Sequence, residues 1–195
     1  MNIEKPTGIF LVTSDPLHLG HIALARGVMD SGLVDGLELV VTNHHPEKTM
    51  QASFGQRFAL ACLAVHEFFG NDPDIHVSDA ELHLATPSFS HATFRYFMRE
   101  MGNIMPVFGS DNLPYVRQWE GMKEILEATG AIIVPRVAVV VDQQHLMPNM
   151  TVLDVSIPAL SSHIIREMRS RAVLSGSVGN AAAQYIAENH LYAFS

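Results

Sequence analysis

The sequence predicts an α/β fold, an open parallel sheet with helices on both faces. Short apolar segments alternate with amphipathic segments along the whole chain, which is the order typical of such a sheet. The segment at 8–13 (GIFLVT) is continuously apolar, as expected of a strand buried on both faces. The chain has 195 residues, 48% of them hydrophobic, so we expect one domain spanning 1–195 with a single core.

Each element is predicted from its local pattern. In the first half we expect strands at 8–13, 37–42 and 75–77, and helices at 20–32, 52–69 and 91–101. In the second half we expect strands at 104–108, 131–134, 138–141 and 151–155, and helices at 119–128, 161–172 and 178–189. The proline at 106 makes the strand at 104–108 the least regular. Ligands bind such sheets at the carboxyl ends of strands, so the polar residues that follow strands carry the functional prediction.

Charge and composition exclude several classes of protein. The formal charge is −8, which argues against a surface that wraps nucleic acid but allows a small nucleotide in a locally cationic pocket. The one cysteine, Cys62, lies in an apolar segment and cannot form an internal disulfide. Neither a signal peptide nor a membrane helix is evident, so we expect a cytoplasmic protein with small-molecule partners, without nucleic acid or membrane. The sequence leaves its oligomeric state open.

The first candidate site follows the first strand, where residues 13–21 read TSDPLHLGH. His18 and His21 flank Gly20 at the start of a predicted helix. A helix N-terminus favours an anion, glycine lets the backbone approach a ligand, and imidazoles can donate to phosphate oxygens or stabilise a leaving pyrophosphate. From these residues alone, a capped helix start with incidental histidines and a metal site both stay open. The position between a buried strand and a helix favours phosphate binding.

The second candidate site lies at 160–166 (LSSHIIR), at the start of a later predicted helix. Ser161 or Ser162 is a good N-cap, and either hydroxyl could bind phosphate instead. Arg166 lies one turn further on, where its guanidinium could reach the same phosphate. A capped helix with a solvated arginine is the alternative interpretation.

These two segments together resemble the nucleotidyltransferase superfamily, with its HxGH motif after Asp-Pro and its later I-S-S-T-x-I-R motif. The resemblance implies a Rossmann-like sheet of the nucleotidyltransferase type and transfer of a nucleotidyl group with release of pyrophosphate. It implies catalytic roles for His18, His21 and Arg166. It also implies that the triphosphate is bound by Thr13, Ser14, Gly20, Ser161 and Ser162. Mg²⁺ would arrive with ATP, without a dedicated metal site in the protein.

The middle of the chain narrows the resemblance to the nicotinate-mononucleotide adenylyltransferases. Residues 109–112 (GSDN) resemble that family's G-A-D-N, which implies nucleotide contacts for Gly109 and Asp111. Trp119 has the spacing of a tryptophan that stacks on the pyridine ring; core packing is the alternative. The acceptor would also meet Phe89 and Ser90, in a turn like the family's S-Y-T, and Arg136. Lys48, in a P-x-K segment, would meet a phosphate. The ending at 185–192 resembles the family's Y-I…L-Y and is expected to be structural.

The predicted function is therefore transfer of AMP from ATP to nicotinate mononucleotide, by direct attack of the acceptor phosphate on the α-phosphorus. A sister enzyme that uses nicotinamide mononucleotide or phosphopantetheine is one alternative. A nucleotide-binding relative without activity is a second, because Leu11 and Val12 replace family glycines and His163 replaces a threonine. A metal-binding protein is a third, disfavoured because the eleven histidines are scattered.

Overall fold

A computed structural model describes residues 5–136, 139–155 and 157–194. Its centre is a sheet of six parallel strands in the order β3-β2-β1-β4-β5-β6. The strands are β1 (Thr7–Val12), β2 (Gly36–Val41), β3 (Ile75–Ser78), β4 (Ile104–Gly109), β5 (Ala131–Val134) and β6 (Met150–Val152). The order reverses between β1 and β4, where a crevice opens at the carboxyl ends of the strands. The predicted open parallel sheet is confirmed.

Helices cover both faces of the sheet. They are α1 (Leu19–Asp30), α2 (Phe54–Phe69), α3 (Ser90–Met101), α4 (Leu113–Val116), α5 (Met122–Thr129), α6 (Ser162–Arg166), α7 (Arg171–Val178) and α8 (Asn180–Glu188). Alternate residues of β1 face opposite layers: Phe10 and Val12 pack with α1 and α2, whereas Ile9 packs with α3 and α5. Both layers are apolar, so the predicted burial of the first strand on two faces is confirmed.

The C-terminal helices form a third cluster against the outer side of α2. Leu60 of α2 packs there with Ile165, Leu174, Val178 and Ile186. The Glu67 carboxylate accepts the first two N–H groups of α8, from Asn180 and Ala181, each at 2.8 Å. Satisfying these donors with an anion at a helix N-terminus stabilises the docking of α8 on α2.

The predicted strand at 138–141 is wrong where it can be tested. Val137 and Ala138 lie outside the described residues, and 139–142 form no strand. The edge of β5 is occupied by β6, with Ile132 paired to Thr151, so this segment does not pair with β5. The amide of Val139 instead bonds the carbonyl of Arg136 at 3.0 Å, and the Val140 side chain is 89% exposed.

Two helix predictions also needed correction. The helix expected at 161–172 is broken into α6 and α7, with 167–170 between them, which turns Leu174 toward α2. The helix expected at 119–128 begins at Met122, because Gly121 has a φ of 65°, outside the helical region. By contrast, Pro106 lies in a regular strand. Pairing of β4 with β5 begins only at Val107, so the missing N–H interrupts no bond to β5.

Among the described residues, no helix is both long and apolar enough to cross a membrane.

Candidate active site

A cleft of about 800 Å³ opens at the carboxyl ends of the central strands. It lies where the strand order reverses, and the segments that follow β1, β2, β3, β4 and β5 contribute to its wall. Most of the residues predicted from sequence line this one cleft: Thr13, His18, Gly20, His21, Lys48, Phe89, Ser90, Gly109, Asp111, Trp119 and Arg136. Residues from five separate segments are thus brought together by the sheet.

The two histidines are held by each other and by the start of α1. His18 occupies the N-cap position, and its Nδ1 accepts the N–H of Gly20 at 3.1 Å. The N–H of His18 donates to Nδ1 of His21 at 3.3 Å, which completes a reciprocal cap. A Cβ at position 20 would lie 3.0 Å from the His18 ring and 3.3 Å from the Pro158 carbonyl, so glycine avoids tight contacts here. The N–H of Gly20 bonds His18, and a contact of Gly20 with phosphate stays a prediction.

Both imidazoles are neutral at pH 7. Burial, and then the charge of Arg136, lowers the pKa of His18 from 6.5 to about 4. The pKa of His21 is lowered well below 6.5 by burial and by His18, Arg136 and Lys48. Neutral rings whose Nδ1 atoms accept hydrogen bonds must carry their proton on Nε2. The pair therefore offers two Nε2–H donors rather than two cations.

An ion pair stands at the end of β4 and β5. Nη1 of Arg136 donates to Oδ2 of Asp111 at 2.9 Å, and both side chains are about 40% exposed. The buried hydroxyl of Ser110 accepts the backbone N–H of Arg136 at 3.0 Å. A Cβ on Gly109 would collide with the Asp111 carboxylate, so the glycine leaves room for this pair. Arg136 thus places a positive charge at the cleft, and its bond to Asp111 holds the Asp111 carboxylate in one orientation at the cleft wall.

The wall near α3 is aromatic. Trp119 is 37% exposed, and its ring lies edge-on to Phe108 with 6.2 Å between centroids. Phe89 is exposed and parallel to His91, with 6.0 Å between ring centroids. A partly exposed tryptophan beside a cleft is suited to contact a flat aromatic ligand. The core-packing alternative for Trp119 thus accounts for its edge contact with Phe108 but not for its exposed surface.

Buried Glu81 joins two loops of the cleft. Its carboxylate accepts the hydroxyl of Thr93 at 2.8 Å and the N–H of Asn43 at 3.0 Å. The same loops are bonded again where the N–H of Ser88 donates to the carbonyl of His44 at 2.8 Å. Lys48 lies exposed on the loop that Asn43 begins. The position of Lys48 relative to Phe89 and Ser90 therefore depends on buried hydrogen bonds rather than on free loops.

Four of the predicted site residues lie outside the cleft lining: Ser14, Ser161, Ser162 and Arg166. The Ser14 hydroxyl is buried and donates to the carbonyl of Arg57 at 2.8 Å. The Ser162 hydroxyl donates to the carbonyl of Pro16 at 3.1 Å, and Nη1 of Arg166 donates to the carbonyl of Asp15 at 2.7 Å. Ser161 lines a smaller neighbouring cavity of about 190 Å³, beside Arg136. The roles of these residues toward phosphate stay predictions; their observed contacts hold the loop before His18.

Sequence reasoning missed several residues that line the cleft. His91, at the second position of α3, is one of them, and Glu47, Tyr115, Gln118 and Glu120 also line the wall. The turn around Phe89 was recognised, but His91 falls at a position where the resembling motif allows any residue. The available signal was its place at the start of the helix predicted at 91–101, next to the turn assigned to the acceptor.

Comparisons with known proteins agree with this geometry. The cytidylyltransferase-like family matches residues 9–168. A probable nicotinate-nucleotide adenylyltransferase of Bacteroides fragilis is 32% identical over 168 residues, covering 84% of this chain and 82% of the relative. One from Caldicellulosiruptor saccharolyticus is 26% identical, covering 94% and 97%. The nicotinic acid mononucleotide adenylyltransferase of Plasmodium falciparum, complexed with NaAD, shares the fold with a TM-score of 0.81 at 17% identity, over 98% of this chain and 99% of that one. The chain therefore belongs to the cytidylyltransferase-like family and, within it, to the nicotinate-nucleotide adenylyltransferases.

Proposed function

We propose that this protein transfers the adenylyl group of ATP to nicotinate mononucleotide in one step, at the cleft described above. An oxygen of the acceptor phosphate attacks the α-phosphorus of ATP, a new P–O–P bond forms, and the bond to the β-phosphate breaks to release pyrophosphate. The acceptor is already an anion, so no protein nucleophile is needed. Catalysis then consists of positioning and charge stabilisation.

One observation carries this proposal: two neutral histidines share a cleft with an exposed tryptophan. His18 and His21 line one part of the wall and Trp119 another. The Nε2–H groups can donate to phosphate oxygens as negative charge moves onto the leaving pyrophosphate. Trp119 supplies a flat face for the pyridine ring of the acceptor. The cleft is large enough for both substrates, since ligand pockets commonly measure about 300–1,000 Å³.

Cationic side chains complete the proposed phosphate site. Lys48 and Arg136 line the cleft and would neutralise phosphate charge. Asp111, held by Arg136, would contact the nucleotide, as the family resemblance implies. Ser161 and Arg166 would reach the outer phosphates from the side of α6, which requires Arg166 to exchange its bond to Asp15 for a phosphate. We place the reaction in the cytoplasm, where ATP is available.

Mg²⁺ fits this cleft as a companion of ATP. The carboxylate of Asp111 is paired with Arg136, and within the described residues no group of three or more His, Cys, Asp and Glu side chains is arranged to hold a metal. Phosphate oxygens and water would therefore supply most of its ligands, as is common for Mg²⁺. The ion would neutralise triphosphate charge.

The test is pyrophosphate release from ATP and Mg²⁺, with nicotinate mononucleotide, nicotinamide mononucleotide and phosphopantetheine as separate acceptors. We expect release that depends on the nicotinate compound and exceeds that with the other two. Preference for nicotinamide mononucleotide or phosphopantetheine would replace the proposed acceptor. ATP binding without release would favour the inactive relative, which the substitution of glycine by Leu11 at the cleft wall motivates.

A further inference from the structure

The C-terminal turn is bonded directly to the loop that carries His18. The hydroxyl of Tyr192 donates to Oδ1 of Asp15 at 2.9 Å, across 177 positions of sequence. Asp15 is 3% exposed and Tyr192 is half-buried, so the carboxylate at one end of this bond has little contact with water. Tyr192 has a φ of 59°, a conformation that a residue with a side chain rarely adopts. The backbone of the turn is thus held in an unfavourable conformation while the hydroxyl reaches Asp15.

Asp15 accepts three further hydrogen bonds, from two other places in the fold. Its Oδ2 accepts the N–H of Gln51 at 2.8 Å, and its Oδ1 accepts the N–H of Ala52 at 3.1 Å. Its carbonyl accepts Nη1 of Arg166, whose guanidinium also lies 3.9 Å from the carboxylate. A buried carboxylate depends on such donors, because water cannot replace one that is lost. Removal of the Tyr192 hydroxyl therefore disturbs a group that has no solvent to compensate it.

The backbone around Asp15 is held in the same way. The carbonyl of Thr13 accepts Nη1 of Arg57 at 2.6 Å, and the carbonyl of Pro16 accepts the hydroxyl of Ser162 at 3.1 Å. Leu17, the next residue, is fully buried. The chain from 13 to 17 therefore has a defined path, and it ends at His18. A displacement of Asp15 is passed on to the imidazole because the intervening residues cannot absorb it.

We infer that Tyr192 is a positioning residue for His18 and His21, acting through Asp15. The kinetic part of this inference rests on the proposed function. The ring of Tyr192 packs on the C-terminal cluster around Leu60, whereas its hydroxyl leaves that cluster to reach Asp15. Burial, and then the Asp15 charge, raises the pKa of Tyr192, so the hydroxyl stays a proton donor across the working pH range. The ring thus stabilises the fold, and the hydroxyl orients the histidine loop.

The experiment compares Tyr192→Phe with Tyr185→Phe. Each variant keeps its aromatic ring, and Tyr185 packs on the same cluster, so it is a matched control for the loss of a hydroxyl. We expect Tyr192→Phe to lower kcat about tenfold, because small displacements of catalytic groups are costly, while KM for ATP stays unchanged. In the protein without substrates, the NMR resonances of the His18 amide and of both imidazoles should shift in Tyr192→Phe and stay in place in Tyr185→Phe. Rates are measured at a temperature at which melting curves show each variant fully folded.

Two results would overturn the inference. One is a Tyr192→Phe protein whose kcat and histidine resonances match those of the wild type. The other is an equal effect of Tyr185→Phe, which would indicate general loosening of the C-terminal cluster. The NMR comparison needs no turnover. A wild-type protein without activity would therefore contradict the proposed function. The NMR comparison of Tyr192→Phe with Tyr185→Phe would still test whether Tyr192 positions His18.

Discussion

The ring centroids of His18 and His21 lie 3.8 Å apart, and the N–H of His18 donates to Nδ1 of His21. Because Nδ1 of His18 also accepts the N–H of Gly20, both rings use Nδ1 for the fold. Only Nε2 of each ring is then left to serve a ligand. In each histidine, one ring nitrogen thus stabilises the start of α1 and the other is available in the cleft.

Replacement of His18 should abolish most turnover. We expect His18→Ala to lower kcat by about 10²- to 10³-fold, the usual effect of removing a donor that stabilises developing charge. His18→Asn should lose as much activity while its side-chain oxygen still accepts the N–H of Gly20 and caps α1. Steady-state kinetics measures the loss of turnover, and circular dichroism shows whether the fold is kept. His76→Ala, which changes an exposed histidine of β3, is the control. Near-normal activity of His18→Asn would contradict the catalytic role of His18.

Removal of the Arg136 charge should make both histidines easier to protonate. Burial is the main cause of their low pKa values, but Arg136 lowers both further. We therefore expect Arg136→Gln to raise the pKa of His18 and of His21, as followed by NMR titration. Arg117→Gln, an exposed arginine at the end of α4, should leave them in place. A downward or absent shift in Arg136→Gln would show that the charge does not act on the pair.

Stability should fall in mild acid because of His18. The unfolded chain binds a proton at this imidazole near pH 6.5, whereas the folded chain does so only near pH 4. Protonation thus favours unfolding, so the contribution of neutral His18 is complete above pH 6.5 and is lost as the pH falls to 4. At about 1.4 kcal/mol per unit of pKa, the loss is at most about 3 kcal/mol. Urea unfolding between pH 7.5 and 4 should show a shallower decline for His18→Asn than for the wild type. Parallel curves would contradict this.

Loss of the Trp119 ring should weaken binding of the acceptor and leave ATP binding unchanged. Aromatic pairs contribute about 0.5–1.5 kcal/mol beyond area burial, so we expect Trp119→Ala to raise KM for the pyridine mononucleotide up to about tenfold. Trp119→Phe should retain much of the affinity. The chain has one tryptophan, so quenching of its fluorescence by the acceptor reports binding directly. An unchanged fluorescence at saturating acceptor would indicate that the pyridine ring does not bind at Trp119.

Restoring a glycine at position 12 should destabilise the fold. Val12 is 3% exposed and belongs to the core beneath α1 and α2. Its removal leaves a cavity and adds backbone freedom, so Val12→Gly should lower the free energy of unfolding by about 2–4 kcal/mol. Urea unfolding measures this, with Val140→Gly at an exposed position as the control. Unchanged stability of Val12→Gly would mean that the neighbouring residues fill the space.

The sequence by itself determined the parallel sheet and the location of the cleft. Alternating apolar and amphipathic segments predict the layers, and motifs that follow strands predict the residues at their carboxyl ends. His18 follows such a strand, whereas Asp111 and Trp119 were identified by their resemblance to a family motif. The room that Gly109 leaves for Asp111 is local, whereas the space at Gly20 is limited by both His18 and the distant Pro158.

Only the tertiary structure decided which of these groups line the cleft. Ser162 and Arg166 follow a phosphate-binding pattern, yet their donors reach the backbone before His18. One partner of Asp15 is Tyr192, which the family resemblance implies only as part of a structural ending. The segment at 139–141 has strand-like composition, but β6 occupies the edge of β5. In each case the deciding contact joins residues far apart in sequence, and the competition between them is settled by packing and burial rather than by local preference.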